Sequence, residues 1–485
     1  MHALSLPAVT PATEAPRIAV VGLGFSGAAV ALHLLRELPA GATLWLVDPA
    51  SRRGRGLAYG TRCASHWLNV PAGRLGIETG HETGFVEWLR GQYGSCGAGD
   101  FVPRLLLGDY LAHTLAEAEK VALARGVQVR MVRAGAVDVG TGQASGVHLV
   151  RLDDGQVLEA DRVVLALGHL APESPRLPGA PPWGSPGLID QPWDESALAA
   201  LPEDGDVLLL GSGLSAIDML TWLQDRGHAG RLTMLSRRGL LPQPHRSLEA
   251  QPRPAGPAAR ALTGAHSLRQ MLRAVRHWAD EAAASGGDWR DVMASLRPDT
   301  PALWQRLPVR ERRQFLRHLQ PWWDTHRHRL APGIHCRLRA ALQAGQAEVR
   351  AGRVRSVLPL GERSGFRISW APRGSDGLLE HRRVAAIVNC TGPSARVGHA
   401  PRTVPGTLLA ALQAHGKLWV DPLGLGLGID EQHRLLDAEG RPQAGLYYVG
   451  PMLKAQHWEA VAIPELRVHA QAVAEELLQG LAVSA

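Results

Sequence analysis

The chain has 485 residues, of which 45% are hydrophobic, and this length is sufficient for two or three domains with ordinary cores. Its 52 lysine and arginine residues exceed the 45 aspartate and glutamate residues, giving a net charge of +7, but the basic residues are scattered and almost all are arginine. The absence of a lysine-rich tail, of a basic stripe interleaved with aromatic residues and of any run of about 18 apolar residues argues against nucleic acid and membrane as partners.

The first predicted element is an apolar strand at 17–21 that runs directly into Gly22, Gly24 and Gly27 and then into a helical pattern. In a dinucleotide-binding turn, the first glycine permits the tight turn, the second lets the backbone approach a pyrophosphate, and the third lets the helix pack on the sheet. The helix offers unpaired N–H groups and a positive dipole end to the phosphates. The residues expected to contact the cofactor here are Gly22, Gly24, Phe25, Ser26 and Gly27.

A second apolar strand ends at Asp48, roughly the 20 residues downstream at which an acidic residue holds a ribose hydroxyl in such folds. The order of strand, glycines, helix, strand and acid predicts a nucleotide site, with Asp48 and Pro49 at the ribose. The alternative is an ordinary strand-turn-helix unit that binds no ligand.

Strands continue beyond this unit. An apolar strand at 161–167 ends at Gly168, and a similar one at 384–391 ends at Gly392, so each is placed to carry the chain between two nucleotide-binding domains. Before the first of them, three short segments predict a β-meander, at 127–132, 147–152 and 157–158.

A second strand-glycine-helix unit begins at 206 and contains Gly211, Gly213 and Ala216 in the same spacing. Its second strand ends in Ser236, Arg237 and Arg238 in place of an acid. Serine and arginine can bind a ribose 2′-phosphate through charge-assisted hydrogen bonds, whereas an acid would repel it, so this unit predicts NADPH as its ligand. The alternative is that both arginines are surface turn residues. The expected NADPH contacts are Gly211, Ser212, Gly213, Leu214, Ser215, Ser236, Arg237 and Arg238.

Between about 247 and 342 the pattern changes to long helices rich in arginine and tryptophan, which predicts a helical insertion in the second domain. Several prolines between 242 and 257 mark its entry as an extended linker. Near the end, a strand at 445–449 leads through Gly450 and Pro451 to a helix that starts near Pro464, a residue well tolerated in a first helical turn.

The four cysteines, at 63, 96, 336 and 390, are far apart and form no Cys-x-x-Cys pair. This spacing favours a reducing compartment, and we expect a cytoplasmic protein. The missing pair also argues against a flavoenzyme of the thioredoxin-reductase type, which uses a redox-active disulfide.

The two glycine turns separated by a short meander resemble two-dinucleotide-binding flavoproteins. More closely, the chain resembles the FAD/NAD(P)-binding flavoproteins of the YdhS type, and the matching segments span nearly the whole chain. These segments are RGLAYG at 55–60, WLNVPAG at 67–73, LSRRGLLP at 235–242, WWDTHRHR at 322–329, NCTGP at 389–393 and WEAVAIPELR at 458–467.

The resemblance implies an α/β fold with two Rossmann-like domains, in which a glutathione-reductase-like FAD domain carries an inserted NAD(P)H domain and a helical insertion. The expected boundaries are 17–200 for the first part of the FAD domain, 201–385 for the NADPH domain with the insertion, and 386–485 for the second part of the FAD domain. The resemblance also implies further FAD contacts at Asn69, Val137, Gly168, Gly392, Gly450, Pro451 and Ile463.

For two of these contacts an alternative stays open. Asn69 in a loop can equally cap a turn. The helix near Ile463 can direct its N-terminus at the reduced flavin or can simply pack on the domain.

No catalytic residue is demanded by flavin chemistry, because the cofactor carries the reaction. The candidates are His245, which follows two prolines after the second nucleotide unit, and Glu459; a surface loop is the alternative for His245. His326 and His328 would point to different sides of a helix and lack a third ligand, so no metal is expected.

The resemblance implies an FAD- and NADPH-dependent oxidoreductase, with single-component flavin monooxygenase as the leading function. The expected substrates are O2 and a small molecule, with urate or a similar heterocycle as one candidate. A reductase or dehydrogenase that passes electrons to a quinone or a protein partner is the second hypothesis. A nucleotide-binding sensor is the third.

Overall fold

The computed structural model describes residues 15–50, 53–144, 146–246, 262, 267–361, 365–397 and 404–482. It contains two mainly parallel sheets flanked by helices, together with a small antiparallel sheet. The predicted α/β fold class is therefore confirmed.

The first part of the chain alternates strands and helices and then forms short strands: β1 (Arg17–Val21), α1 (Phe25–Glu37), β2 (Thr43–Val47), α2 (Gly56–Tyr59), α3 (Gly84–Tyr93), α4 (Arg104–Ala124), β3 (Gln128–Val132), β4 (Ala136–Thr141), β5 (His148–Leu152), β6 (Val157–Ala160) and β7 (Arg162–Leu165).

The middle part forms β8 (Leu188–Ile189), α5 (Glu195–Ala199), β9 (Val207–Leu210), α6 (Leu214–Asp225), β10 (Leu232–Ser236), α7 (Leu268–Ala284), α8 (Trp289–Leu296), α9 (Thr300–Arg306), α10 (Val309–Gln314), α11 (Gln320–Arg327), α12 (Pro332–Gln343), β11 (Ala347–Pro359), β12 (Phe366–Pro372), β13 (Glu380–Val384) and β14 (Ala386–Asn389). The last part forms α13 (Val404–Ala414), β15 (Arg434–Leu436), β16 (Pro442–Tyr448) and α14 (Ile463–Ala482).

The first sheet has six strands in the order β15-β16-β7-β1-β2-β3, all parallel except for the antiparallel pair of β15 and β16. After Arg17, strand β1 is an unbroken apolar run that is buried on both faces, as expected for the centre of a parallel sheet. Helices α1, α4 and α14 share the core on one face. The small sheet and α13 cover the other.

The second sheet has seven strands in the order β13-β12-β11-β10-β9-β14-β8. The expected boundaries at 200/201 and 385/386 need correction here, because β8 and β14 pair with each other and β14 pairs with β9. Both strands therefore belong to the second sheet, although the prediction assigned them to the FAD domain. Strand β14 is short and apolar, like the strands of the first sheet, so its sequence pattern does not show to which of the two sheets it belongs.

The predicted meander also needs correction in its first strand. Residues 128–132 form β3, which pairs in parallel with β2 at the edge of the first sheet. The antiparallel three-stranded sheet consists of β4, β5 and β6 instead. The segment at 136–141 supplies the strand that the prediction missed.

The helical insertion, as the structure defines it, consists of α7 to α11 and has its own core around Met271, Val292 and Trp304. Helix α12 was expected within the insertion, but its residues Ile334 and Leu338 lie in the core of the second sheet. The predicted insertion is therefore too long at its end. The proline linker falls largely at 247–261, outside the described residues.

All four cysteines are free thiols. Within the described ranges, no helix has the length and apolar composition needed to cross a membrane. In the same part of the chain, His, Cys, Asp and Glu side chains form no group of three or more that could hold a metal ion.

Three histidines meet where the turn before β15 reaches α14. The ring centroid of His469 lies 5.2 Å from that of His433 and 4.7 Å from that of His457. Burial, followed by repulsion from the neighbouring histidines, lowers the pKa of His469 to about 3, and burial and His457 lower that of His433 to about 4. Among the described residues, neither Nδ1 of His433 nor Nδ1 of His469 has a hydrogen-bond partner. The folded protein therefore keeps these rings neutral.

This cluster predicts loss of stability in mild acid. In the unfolded chain a histidine takes up a proton below its ordinary pKa of about 6.5, whereas the folded cluster does not. The stability contributed by the neutral rings is thus complete above about pH 6.5 and is lost as the pH falls toward 4, by at most about 1.4 kcal/mol per pH unit for each histidine. Urea unfolding at several pH values measures it. His469→Phe should flatten the dependence, and the exposed control His318→Phe should not; equal slopes for wild type and His469→Phe would contradict the account.

Candidate functional site

The first glycine turn joins β1 to α1 in a conformation that only glycine accommodates. Gly22 has a φ of 94°, and a Cβ there would lie 2.6 Å from the carbonyl oxygen of Ala166 on the neighbouring chain segment. A Cβ on Gly27 would lie 1.9 Å from the Gly22 oxygen, so α1 packs directly on the turn. Phe25 and Ser26 form the buried start of the helix.

Gly24 differs from Gly22 and Gly27, because nothing lies closer than 3.8 Å to a Cβ built on it. It precedes α1 at φ −75°, and no side chain caps the N–H groups of the first turn. A helix N-terminus left uncapped beside a glycine can receive a phosphate group. This is the geometry expected for a pyrophosphate site.

Asp48 ties the glycine turn to the end of β2. One carboxylate oxygen accepts a 2.7 Å hydrogen bond from the Leu23 N–H, and the other accepts a 2.8 Å bond from the Ala50 N–H. Each carboxylate oxygen has a further lone pair for a ribose hydroxyl. Burial raises the pKa of Asp48, and the two N–H groups oppose this. Pro49 is exposed beside it.

The segment around α2 lies over the same turn. Gly56 has a φ of 53°, and a Cβ on it would lie 2.8 Å from the Gly24 Cα. A Cβ on Gly108 of α4 would lie 2.3 Å from the Tyr59 oxygen, so α4 holds this segment from behind. The absence of side chains at Gly56 and Gly108 thus lets the segment around α2 pack closely against Gly24. Sequence reasoning used this segment only as part of the resemblance, although its glycine spacing was a usable signal.

Three other predicted FAD contacts gather at the carboxyl edge of the first sheet. Gly168 follows β7 and is exposed, while Gly450 follows the adjacent β16 with a φ of 149°. A Cβ on Gly450 would lie 2.7 Å from the Leu167 oxygen, so the two loops touch. Pro451 begins a short 3-10 turn there. Gly22 belongs to the same edge through its contact with Ala166.

Three further residues of this prediction lie elsewhere. Val137 is half-buried on β4 of the small sheet. Ile463 is the first residue of α14, which packs along α1. Gly392 follows β14 and so lies at the edge of the second sheet, although a bridge between Leu170 and Ser394 links its loop to the one after Gly168.

The second glycine turn repeats the geometry of the first. Gly211 has a φ of 125°, and a Cβ there would lie 2.3 Å from the oxygen of Cys390, the residue that follows β14. Nothing lies within 4 Å of a Cβ on Gly213, and α6 starts after it without a side-chain cap. Ala216 is fully buried in the close-packing position. Leu214 and Ser215 form the first turn.

At the end of β10 the predicted basic residues gather. Ser236 Oγ lies 2.8 Å from Ser212 Oγ and accepts a 3.0 Å hydrogen bond from the Gly239 N–H, so it shapes the turn. Arg238 donates to the Arg317 carbonyl oxygen at 2.7 Å, and Arg237 is exposed. Burial lowers the pKa of Arg238, followed by repulsion from Arg237 and Arg373. Three guanidinium groups therefore concentrate positive charge at this strand end.

His245 and Asn69 are brought together from distant parts of the chain. Nε2 of His245 lies 2.8 Å from the Asn69 carbonyl oxygen, which can only accept, so the proton is on Nε2. The ring also contacts Phe101 at 4.9 Å. Burial and the nearby Arg329 and Arg290 lower its pKa to about 4, so the ring is neutral near pH 7. The geometry makes His245 a brace for the Asn69 loop.

Glu459 is buried and paired. The Arg327 side chain donates to its Oε2 from Nε at 2.9 Å and from Nη2 at 2.5 Å. Nearby, Arg297 makes two hydrogen bonds to Glu465 in the first turn of α14. These two ion pairs fasten the helical insertion to the segment between Gly450 and α14. The carboxylate of Glu459 therefore has a positioning role.

A polar cluster lies beside this junction that the sequence interpretation did not include. His169 follows Gly168, Lys454 follows the turn after β16, and Asp324 and His328 come from α11 and its end. His169 is exposed, whereas burial lowers the pKa of His328 to about 3, with Arg327 and Lys454 adding to this. Burial also lowers the pKa of Lys454 and raises that of Asp324. His328 lies 4.0 Å from Asp324, and no signal in the sequence joined these residues.

The comparisons with known proteins agree with this geometry. Residues 19–170 match the model of an FAD-NAD(P)-binding family. No curated protein sequence gives a significant match.

Solved structures match over nearly the whole chain. L-lysine 6-monooxygenase from Pseudomonas syringae has a TM-score of 0.64 at 17% identity, with 96% of this chain and 99% of that chain covered. An ornithine N-hydroxylase from Kutzneria sp. 744, with FAD, NADP+ and L-ornithine, has a TM-score of 0.62 at 15% identity, covering 97% and 100%. A cyclohexanone monooxygenase has a TM-score of 0.55 at 16% identity, covering 97% and 89%. At these identities the likeness shows the fold. Residues 19–170 are therefore similar to an FAD-NAD(P)-binding domain, and the chain shares its fold with these monooxygenase structures.

Proposed function

We propose that the chain is an FAD- and NADPH-dependent monooxygenase that inserts oxygen into a small molecule. One observation carries the proposal above the others. The two glycine turns are alike, but Asp48 follows the first and Arg237 and Arg238 follow the second. An acid suits a free ribose hydroxyl and a basic cluster suits a 2′-phosphate, so the two sites suit FAD and NADPH respectively.

The residues of the first site fit FAD. The N–H groups at the start of α1 and the open space at Gly24 would receive the pyrophosphate, and the spare lone pairs of Asp48 would accept ribose hydroxyls. The exposed backbone at Gly168 would lie along the flavin, with the buried Gly450 turn beside it. The comparisons support this assignment through the family model and the structures with bound FAD.

The residues of the second site fit NADPH. The uncapped start of α6 and the open space at Gly213 would receive the pyrophosphate, and Arg237 with Arg238 would bind the 2′-phosphate. The bound cofactors would supply hydride transfer from NADPH to FAD and activation of O2 by the reduced flavin. The chain itself orients the two nucleotides, braces the Asn69 loop through His245 and fastens the helical insertion through Glu459.

Oxygen incorporation tests the function. Purified protein loaded with FAD is given NADPH, heavy-isotope O2 and candidate substrates, and the product is analysed by mass spectrometry. Substrate-stimulated NADPH consumption with one labelled oxygen atom in the product is expected. NADPH consumption that reduces a quinone or a protein partner with no label in any product would favour the reductase. Binding of both nucleotides without any reduction would favour the sensor. Urate gains no support from the comparisons and enters the panel only as one compound.

The brace between His245 and Asn69 gives a further prediction. His245→Leu leaves the Asn69 carbonyl oxygen without its donor and should weaken FAD binding about fivefold, corresponding to about 1 kcal/mol for one hydrogen bond. His245→Gln keeps an N–H donor and should bind FAD nearly as wild type. Quenching of flavin fluorescence gives the dissociation constants, and equal losses in both variants would contradict the hydrogen-bond role.

A further inference from the structure

The helical insertion and Trp458 line a half-open cavity of about 550 Å³. Aromatic side chains form much of its wall and come from α8, α9, the π turn after α10, α11 and the segment before α14: Trp289, Trp304, Phe315, Trp322, Trp323 and Trp458. Aliphatic side chains of α7 and α8 complete the wall. A cavity of this size and composition is typical of a small-molecule pocket.

The charge of the wall restricts the ligand. Among the described residues that line the cavity there is no aspartate or glutamate, and Arg276, Thr300 and His326 are its polar members. An amino acid with a free amine would find no carboxylate partner for its ammonium groups in such an environment, and a buried charge without an opposite charge is disfavoured. A neutral aromatic molecule would instead bury its surface against the indole rings and stack on their faces or edges.

One wall of the cavity belongs to the segment that follows the proposed flavin contact at Gly450. Trp304 donates from Nε1 to the Ala455 carbonyl oxygen at 3.0 Å, and its ring lies 4.4 Å from that of Trp458. Residues 455 and 458 belong to the segment that leaves Gly450 and leads to α14. Lys454 lies 4.2 Å from the Trp458 ring centroid, so the wall of the cavity is shared with the polar cluster. The ion pair of Glu459 and Arg327 fixes this junction.

We propose that this cavity is the substrate pocket and that its substrate is a neutral, mainly apolar molecule with an aromatic ring. The assignment rests on the proposed monooxygenase function. In the net reaction, one oxygen atom of O2 enters a C–H bond of the substrate to give a hydroxyl group. The other oxygen atom leaves as water, and NADPH with one proton supplies the two electrons and the hydrogen, leaving NADP+.

Calorimetric titration of the full chain tests the pocket without any turnover. The probes are 1-naphthol, which is neutral and aromatic, and L-ornithine. We expect 1-naphthol to bind and to quench tryptophan fluorescence, and L-ornithine to give no heat. Ala279 and Val275 line the cavity from α7 and are half-buried, so Ala279→Trp and Val275→Phe should fill it and weaken 1-naphthol binding at least about tenfold, or about 1.4 kcal/mol.

Leu378→Trp, in an exposed loop between β12 and β13, is the matched control and should bind 1-naphthol as wild type. The pocket assignment fails if 1-naphthol does not bind, if L-ornithine binds in its place, or if filled and control variants bind 1-naphthol equally. FAD uptake and reduction by NADPH are measured separately on wild type. Reduction without 1-naphthol binding overturns the pocket alone, whereas 1-naphthol binding without FAD uptake overturns the proposed function alone.

Discussion

Gly24→Ala is expected to weaken FAD binding at least about tenfold, or about 1.4 kcal/mol, and to change the stability of the cofactor-free protein by less than about 1 kcal/mol. Gly24 has an extended backbone that alanine adopts, and a Cβ there meets nothing closer than 3.8 Å. The methyl group would instead occupy the space proposed for the pyrophosphate. Flavin fluorescence gives the affinity, and urea unfolding gives the stability.

Gly27→Ala is the matched comparison, because its Cβ would lie 1.9 Å from the Gly22 oxygen, deep within contact distance. The strain falls on the fold, and we expect a loss of about 1–3 kcal/mol in the free energy of unfolding, or more, before any FAD is added. Comparing Gly24→Ala with Gly27→Ala therefore distinguishes an effect on FAD binding from an effect on folding. If Gly24→Ala binds FAD normally, or if it destabilises the protein as much as Gly27→Ala, the pyrophosphate assignment is wrong.

Arg237→Ala is expected to raise the KM for NADPH about tenfold or more and to leave the KM for NADH within about twofold. Arg237 is exposed and stands in a cluster with Arg238 and Arg373, so removing it lowers the charge available to a 2′-phosphate. A charge-assisted hydrogen bond of about 1.5–3 kcal/mol corresponds to this loss. NADH lacks the phosphate and should not respond.

Arg355→Ala is the control for net charge, because Arg355 is an exposed arginine on β11 of the same sheet. It should leave both KM values near those of wild type. Steady-state rates of NADPH and NADH oxidation measure both variants. Equal effects of Arg237→Ala on NADPH and NADH would assign the arginine a structural role in the turn instead of phosphate recognition.

The parts of the fold that the sequence predicted correctly are those with local causes. Gly22 and Gly27 indicate the first turn because a Cβ at either position would collide with nearby backbone, and the same holds for Gly211 in the second turn. Asp48 directly follows β2 as predicted, and its ribose contact stays a prediction. The start of α14 at Ile463 was likewise predicted from the position of Pro464.

The parts that escaped prediction depend on pairing between distant segments. An apolar strand such as β14 fits either sheet, and its place is decided by β9 and β8. The local pattern correctly predicts a helix at α12. Its place in the second domain is decided by the buried face around Leu338, which packs in the core of the second sheet. The approach of Gly56 to Gly24 is a tertiary contact that the local pattern does not encode.

The candidate site shows the same division. The two glycine turns lie where the sequence predicted them, and their nucleotide contacts stay a prediction. The cluster of His169, His328 and Lys454, by contrast, is assembled from three separate segments. The pocket wall also combines Trp458 with helices more than 100 residues earlier in the chain, such as α9. Only the folded chain places these groups together.

Anaerobic reduction tests the central assignment most directly. Purified protein is incubated with FAD, freed of unbound cofactor, and mixed with NADPH or NADH under exclusion of oxygen while the visible flavin absorption is followed. We expect that the protein retains FAD and that NADPH bleaches it faster than NADH. A protein that retains no FAD, or whose bound FAD is not reduced by NADPH, would contradict the two-nucleotide assignment.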